Sequence, residues 1–419
     1  MKHLRSHLFI AFAIILTATT LTACGQKTNS PSTSSKPVTI TFWHGMTGAH
    51  KTALNTIIRN FNRSQDQYHV VGEGQGNFAN LQQKITAAAK SKTLPTIAQT
   101  AYTNVPDYVK GGFVTSFDPY VSKSDLRHVY PIFLKATTYQ HKMYALPFSK
   151  SAHVLFYNRD LLKKYHLALP KSWHDVQQDG LKLKSKGITA IAFDQSLATD
   201  IDALSWQAGT PLVSDQLKVN ANHPKTVAET KMIAAMLKNK TATTAGADGY
   251  GSTQFLAGKT LFYSGSSAAT AIMQASTPKS MHWGTTVMPS YHGLRVVSIA
   301  GNDIVMFKSA STAQRRGAAA FMKFLLSDKQ TIYWAKQTGY VPLTKTAQHR
   351  ASYRRYLAKH PNAKAAVNSV QYGYQDPAFL GYNQYFTALN KASDQLVTKQ
   401  ATPKEALTTL QQTTEQVLK

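Results

Sequence analysis

The sequence predicts an α/β fold, and three observations within its first hundred residues carry that prediction. Residues 38–43, Val-Thr-Ile-Thr-Phe-Trp, alternate apolar and polar side chains with the period of a strand. Residues 49–62 change to helical spacing, with Leu54, Ile57, Ile58 and Phe61 at i, i+3, i+4 and i+7. The exchange then repeats: Tyr68 to Val71 reads as a strand, Phe78, Leu81, Ile85 and Ala88 fall on one helical stripe, and Thr96 to Ala101 reads as a third strand. Strands joined in β-α-β-α-β order by right-handed crossovers predict a parallel sheet. Ligands of such sheets lie beyond the carboxyl ends of the strands, which marks Trp43-His44, the segment 72–77 (GEGQGN) and Ala101-Tyr102. The spacing in GEGQGN departs from the dinucleotide fingerprint, so its glycines are read as a turn into the next helix.

Further along, Val154 to Tyr157 has the pattern of a buried strand and runs into Asn158-Arg159-Asp160 and a helix-like LLKKY. Leu261 to Tyr263 leads into a turn of small residues, Ser264-Gly265-Ser266-Ser267, and Val296 to Ile299 leads into Ala300-Gly301-Asn302. Helical periodicity occupies 315–337 and 384–418, where Pro403 is placed to open the last helix. No internal repeat is found. The roughly 380 residues after position 37 exceed a single core and suggest two or three domains.

The N-terminal region follows a different logic. Lys2 and Arg5 precede Leu8 to Leu16, an uninterrupted apolar run. That run is shorter than the ~20 residues a spanning helix needs and has the size of a signal-peptide core. Cys24 is the only cysteine, so no disulfide forms within the chain. Leu21-Thr22-Ala23-Cys24 resembles the lipobox of bacterial lipoproteins, with an ordinary secretory signal as the alternative. The resemblance implies that 1–23 is a signal peptide, that Cys24 is diacylated, and that the chain is held by its lipid on the extracellular face of the cell membrane. Residues 25–37 (GQKTNSPSTSSKP) carry no apolar side chain except proline, so 24–37 is read as a lipidated cysteine and a flexible tether.

The net charge of +27 comes from 47 Lys and Arg against 20 Asp and Glu. The cations are spread along the chain, as at 182–186 and 350–355, without one dominating block. Such a surface could meet nucleic acid or anionic lipids and wall polymers. The export signal decides for the second, and no nucleic-acid partner is expected.

Catalytic patterns are missing. The 15 histidines include no HExxH, and His44 and His50 are six apart, so no metal is expected. GxSxG fails at the last glycine of Gly265-Ser266-Ser267-Ala268-Ala269, and the Walker pattern is absent. Asp200 and Asp202 are read as loop or helix N-terminal residues, not as a glycosidase pair. The residues favour binding over catalysis, with no cofactor. The rivals kept open are a secreted wall-active hydrolase and a basic cell-surface adhesin holding anionic polymer.

Four blocks then point to a family. Residues 147–176, PFSKSAHVLFYNRDLLKKYHLALPKSWHDV, and 318–347, AAAFMKFLLSDKQTIYWAKQTGYVPLTKTA, resemble two signatures of the extracellular solute-binding proteins of ABC importers, sugar type. Phe42-Trp43-His44 and Gly258-Lys259-Thr260-Leu261 resemble further blocks of that family, in the same order. The resemblance implies a two-lobed periplasmic-binding-protein-like fold of type II with a ligand cleft at the hinge. It implies lobes of 38–147 plus about 300–345 and of 148–299 plus about 346–419. It also implies a monomer that takes a sugar, glycerol phosphate or glycerophosphodiester and works with ABC permease subunits.

Within the family, the members that bind sn-glycerol 3-phosphate share Trp43 to Met46 and Thr338 to Thr344 most fully. Carried over by position, ligand contacts fall on Phe78, Tyr102, Ser151, Ser266, Gly301 and Tyr340, with Trp43, His44 and Trp206 as further candidates at strand ends and aromatic walls. Two positions differ in kind: Phe78 stands for a tyrosine and Tyr102 for a glutamate. The phosphate-holding arginine has no counterpart in 371–386, which offers Tyr372, Tyr374, Tyr382 and Tyr385 instead. A phosphate without a bidentate guanidinium loses its strongest contact.

Overall fold

The computed structural model describes residues 36–246 and 249–419. The expected signal peptide, Cys24 and nearly all of the tether lie outside the described residues. Thirteen strands occur in this order: β1 (Val38–His44), β2 (Tyr68–Gly74), β3 (Ile97–Thr100), β4 (Val114–Thr115), β5 (Thr138–Tyr139), β6 (Lys142–Met143), β7 (Ala145–Asn158), β8 (Thr189–Phe193), β9 (Ala242–Thr244), β10 (Thr260–Ser266), β11 (Trp283–Thr286), β12 (Val297–Phe307) and β13 (Gly373–Tyr374). The main sheet runs β2-β1-β3-β12-β7-β10-β8-β9, with β11 on β7 and β4 and β13 on β12.

The expected β-α-β-α-β start is present. β1 pairs in parallel with β2 and β3, and the Gly48–Ser64 and Phe78–Ser91 helices form the crossovers. Consecutive residues of β1 face opposite sides of the sheet. Phe42 joins Leu54, Ile57, Ile58 and Phe61 in one core, while Trp43 joins Leu81, Ile85 and Ala88 in another. Phe61 also packs edge-on against Phe321 of the Thr312–Leu325 helix, with ring centroids 5.2 Å apart. The 315–337 periodicity is divided between that helix and Asp328–Thr338. The 384–418 periodicity is divided between Tyr382–Val397 and Pro403–Val417.

Beyond these first three strands, where the expected parallel pairing is present, the sheet turns antiparallel at its centre. β12 runs antiparallel to both β3 and β7, and β10 and β11 run antiparallel to β7. Parallel pairing returns at β10-β8 and β8-β9. The physical reason lies in the length of β7. Its 14 residues pair with β12 through Ala152 and with β10 and β11 from His153 onward, so one strand serves both halves of the molecule. Twelve of those 14 are buried, because both faces are covered, and the hydrophobic alternation that marks a strand disappears.

β7 and β12 approach closely where Gly301 faces Lys150. Gly301 has φ +120°, and a Cβ there would stand 1.9 Å from the carbonyl oxygen of Ser149. The register slips by one residue beside it, between Asn302 and Asp303. A fully buried ion pair, Lys150 Nζ to Asp303 at 2.8 Å, then ties the two strands together. Burial raises the Asp303 carboxyl above its usual range, and the Lys150 charge opposes that rise.

No helix among the described residues is long and apolar enough to cross a membrane. Because the Lys150–Asp303 pair is enclosed, removing one partner strands the other charge. Lys150→Met is expected to cost about 3–5 kcal/mol in urea unfolding, and Lys150→Met with Asp303→Leu to recover most of that loss.

Candidate functional site

The carboxyl ends of β1 and β3 and the turn that follows each build one wall of an interlobe cavity. Gly45 follows β1, and its amide donates to Gln99 Oε1 at 3.1 Å. A Cβ on Gly45 would meet the Phe78 ring at 2.8 Å, so this glycine leaves room for Phe78 at the cavity. Asn77 caps the Phe78–Ser91 helix through its side chain, which accepts from the Asn80 amide at 2.9 Å and fixes where the helix begins. After β3 the chain enters a single 3-10 turn, Tyr102–Asn104. Asn104 Nδ2 donates to Gln82 Oε1 at 2.9 Å and to Thr100 Oγ1 at 3.0 Å, and the Tyr108 hydroxyl donates to the same Gln82 oxygen at 2.5 Å. This network holds the wall rigid, and burial raises the Tyr108 hydroxyl to about 12.

The facing wall comes from the Ala198–Gln207 helix and residues 374–389, and the Ser298–Gly301 stretch of β12 forms the floor between the walls. Together these surfaces enclose about 540 Å³ lined by Phe78, Gln82, Tyr102, Asn104, Asp202 and Gly301 among others, with Tyr374, Asp376, Tyr382, Asn383 and Phe386. Two hydrogen bonds join its sides: Asn383 Nδ2 to Asn104 Oδ1 at 2.9 Å, and the Gly381 amide to Asp107 Oδ1 at 3.1 Å. At the surface, Lys135 and Asp215 pair at 2.6 Å beside an adjoining hollow of about 860 Å³.

Two carboxyls and three tyrosines dominate the polar chemistry. The Tyr374 hydroxyl donates to Asp202 Oδ2, and the Tyr382 hydroxyl donates to Asp376 Oδ2 at 2.6 Å. The two carboxyls lie close enough for each to alter the other's hold on its proton. Burial pushes Asp202 well above the carboxylate range, and the Asp376 charge adds to the rise. Asp376 is raised by burial as well, opposed by its bond from Tyr382. Two like carboxyls at this range favour sharing a proton. Burial pushes the Tyr102 hydroxyl well above its usual range, the Asp376 charge adding to the rise, and the Lys150 ammonium lies 5.3 Å from the Tyr102 ring centre.

The nine residues expected at the site do not all meet there. Phe78, Tyr102 and Gly301 line the cavity. Ser151 lies opposite Ala300 on the crossing strands, one residue from the lining, and is buried. Trp206 packs on Tyr374 at 4.9 Å and lines the adjoining hollow. Trp43 is buried, with its indole donating to Glu73 at 2.8 Å and Lys84 over its ring at 4.9 Å. His44 is fully enclosed beside Phe42, where burial first and then the Lys51 charge lower its imidazole to about 4. Ser266 accepts from the Ala268 amide as a turn cap, and Tyr340 is buried and stacked on Trp334 at 5.9 Å. None of these last four lines the cavity.

Sequence reasoning placed Asp202 in a helix N-terminal role and passed over Asp376. The helix begins at Ala198, so Asp200 falls in its first turn and Asp202 one step beyond. Acidic residues number only 20 in this chain, and Asp376 sits within the tyrosine-rich 371–386 segment that replaces the expected arginine. Scarcity of acid beside that segment was the available signal.

Comparison with known proteins agrees with this geometry. The profile of bacterial extracellular solute-binding proteins matches residues 56–365. The sn-glycerol-3-phosphate-binding periplasmic protein UgpB of Brucella melitensis is 26% identical over 349 residues, covering 78% of this chain and 80% of its own. That of Yersinia enterocolitica is 25% identical over 403 residues, covering 88% and 90%. Among solved structures, the cyclic alpha-maltosyl-1,6-maltose binding protein of Arthrobacter globiformis superimposes with TM-score 0.81 at 20% identity, covering 91% of this chain and 99% of that one. UgpB from Mycobacterium tuberculosis in complex with glycerophosphocholine gives 0.80 at 20% identity, covering 92% and 98%. The two-lobed fold is thus that of sugar-binding proteins of this kind, and the chain belongs to the bacterial extracellular solute-binding protein family.

Proposed function

We propose that this chain captures a small carbohydrate-type or glycerophosphodiester-type solute outside the membrane and delivers it to the permease of an ABC importer. The observation that carries the reading is the cavity between the two walls, lined by Tyr102 and Phe78 on one side and by Asp202, Tyr374 and Tyr382 on the other. Enclosure of this kind removes a ligand from water without any bond being made or broken. Lobes of 38–147 plus about 300–345 and of 148–299 plus about 346–419 would turn about β7 and β12, the hinge closure expected of such proteins.

The solute is read as something other than a phosphate monoester. Glycerol 3-phosphate carries up to two negative charges at neutral pH, and among the described residues no Lys, Arg or His lines the cavity to receive them. Sugar hydroxyls, in contrast, can bond Asn104, Gln82 and Asn383 and lie against the tyrosine rings.

The hydrolase alternative needs a nucleophile open to substrate. Ser264 does stand near a histidine and an aspartate, its Oγ 2.8 Å from His153 Nε2 and donating to Asp200 Oδ1 at 2.6 Å. It is fully buried, and the same ring nitrogen of His153 faces both Ser264 and Asp200, at 2.8 and 3.5 Å. A triad uses the two ring nitrogens separately, so this cluster is read as packing in the second lobe. The protein is read as a monomer with no catalytic activity and no nucleic-acid partner. Its lipid at Cys24 would keep it beside the permease, with 25–37 as the tether.

A thermal-shift screen over sugars, glycerophosphodiesters and polyol phosphates tests the capture reading. A ligand at 100 times its Kd is expected to stabilise the protein by about 2.7 kcal/mol. Tyr102→Ala is expected to weaken that ligand roughly 30-fold, as removal of a central aromatic anchor does. For the anchor, Cys24→Ala in the producing cell is expected to move the protein from the membrane fraction to the medium; retention on the membrane would refute lipidation at Cys24.

A further inference from the structure

The cavity has a charge opposite in sign to the rest of the molecule. Cationic residues exceed anionic ones by 27 over the chain. Yet among the described residues the charged side chains lining the cavity are Asp202 and Asp376 alone. The buried cation Lys150, 5.3 Å from the Tyr102 ring centre, is already paired with Asp303 at 2.8 Å. The wall around the two carboxyls is aromatic: Tyr374 donates to Asp202 and Tyr382 to Asp376, Tyr102 lines the cavity beside them, and Phe386 stacks on Tyr382 at 6.1 Å with ring planes 14° apart. A partly enclosed pair of carboxyls among tyrosine rings is the surrounding that favours an organic cation, through charge and through the ring quadrupoles together.

We propose that the solute carries a positively charged nitrogen, as an ammonium or quaternary ammonium group, and that this group seats against Asp202 and Asp376 within the ring of Tyr102, Tyr374 and Tyr382. This rests on the solute-capture reading above and names the class of ligand for that cavity. A neutral polyol can bond both carboxyls, but it leaves the one negative charge of the proton-sharing pair uncompensated once water is expelled, which is costly in a closed site. A cation compensates that charge. An anion meets two carboxyls and no base. Where a relative would meet phosphate with an arginine, this chain offers carboxylate and tyrosine, so the polarity of recognition is reversed.

Calorimetric titration of the mature chain with probe pairs that differ in charge but hardly in shape tests this. The pairs are choline with 3,3-dimethylbutan-1-ol and glucosamine with glucose, with glycerol 3-phosphate and a neutral maltooligosaccharide as references. The charged member of at least one pair is expected to bind about 10- to 100-fold tighter than its neutral twin, the range of a charge-assisted contact. Asp376→Asn is expected to abolish that preference. If this variant does not fold, Asp202→Asn makes the same test, and the probe pairs on the unaltered chain decide alone. Equal binding of twins, or binding of glycerol 3-phosphate, overturns the inference. Binding of the neutral oligosaccharide while both cations fail overturns it too, but leaves solute capture standing. Failure of every probe, together with no response in the thermal-shift screen, overturns both.

Discussion

Strands β7 and β12 run antiparallel through the middle of the molecule, and their contact at Gly301 sets the geometry on which the site depends. The missing side chain allows the backbone of Gly301 to pass the Ser149 carbonyl at a distance no Cβ could tolerate. Beyond it, the shifted register places Asp303 opposite Pro147 and lets its carboxylate reach the Lys150 ammonium. A buried ion pair is weak support for stability in itself, but it penalises any arrangement that separates its members. The crossing strands are therefore held in one register while sheet and helices extend from them on either side. Residues 298–301 form the floor of the cavity, and Tyr102 stands above the pair.

From that floor the two walls acquire different characters. The wall formed by the turns after β1 and β3 is neutral and braced by amides, through Gln82, Asn104 and Gln99. The opposite wall is acidic and phenolic, through Asp202, Asp376, Tyr374 and Tyr382. The contacts that join the walls, Asn104 with Asn383 and Asp107 with Gly381, are single hydrogen bonds of ordinary length. Each has a net worth of about 1 kcal/mol, small enough for ligand binding to shift the balance between open and closed forms.

Much of the fold could be read along the chain because local pattern and tertiary role agree there. Leu54, Ile57, Ile58 and Phe61 are buried as their spacing requires, and Gly76 (φ +84°) turns the chain after β2. The central strands were harder, because β7 is buried on both faces and has no alternation to betray its length. Of the residues that line the cavity, Tyr102 was legible at a strand end, while Phe78 and Gly301 came only from the family resemblance. Trp43 and His44 show the limit of the strand-end rule: a side chain there can point into the core instead of outward, and periodicity does not distinguish the two within a residue or so. Asp202 and Asp376 are 174 positions apart, and only folding brings their carboxyls together.

The central claim is that the halves of this protein close on a solute. Small-angle X-ray scattering of the mature chain, with and without a saturating ligand identified by calorimetry, measures that closure directly. The account predicts a smaller radius of gyration in the liganded protein, with the free protein populating a more open form. An unchanged scattering curve at demonstrated saturation would contradict it.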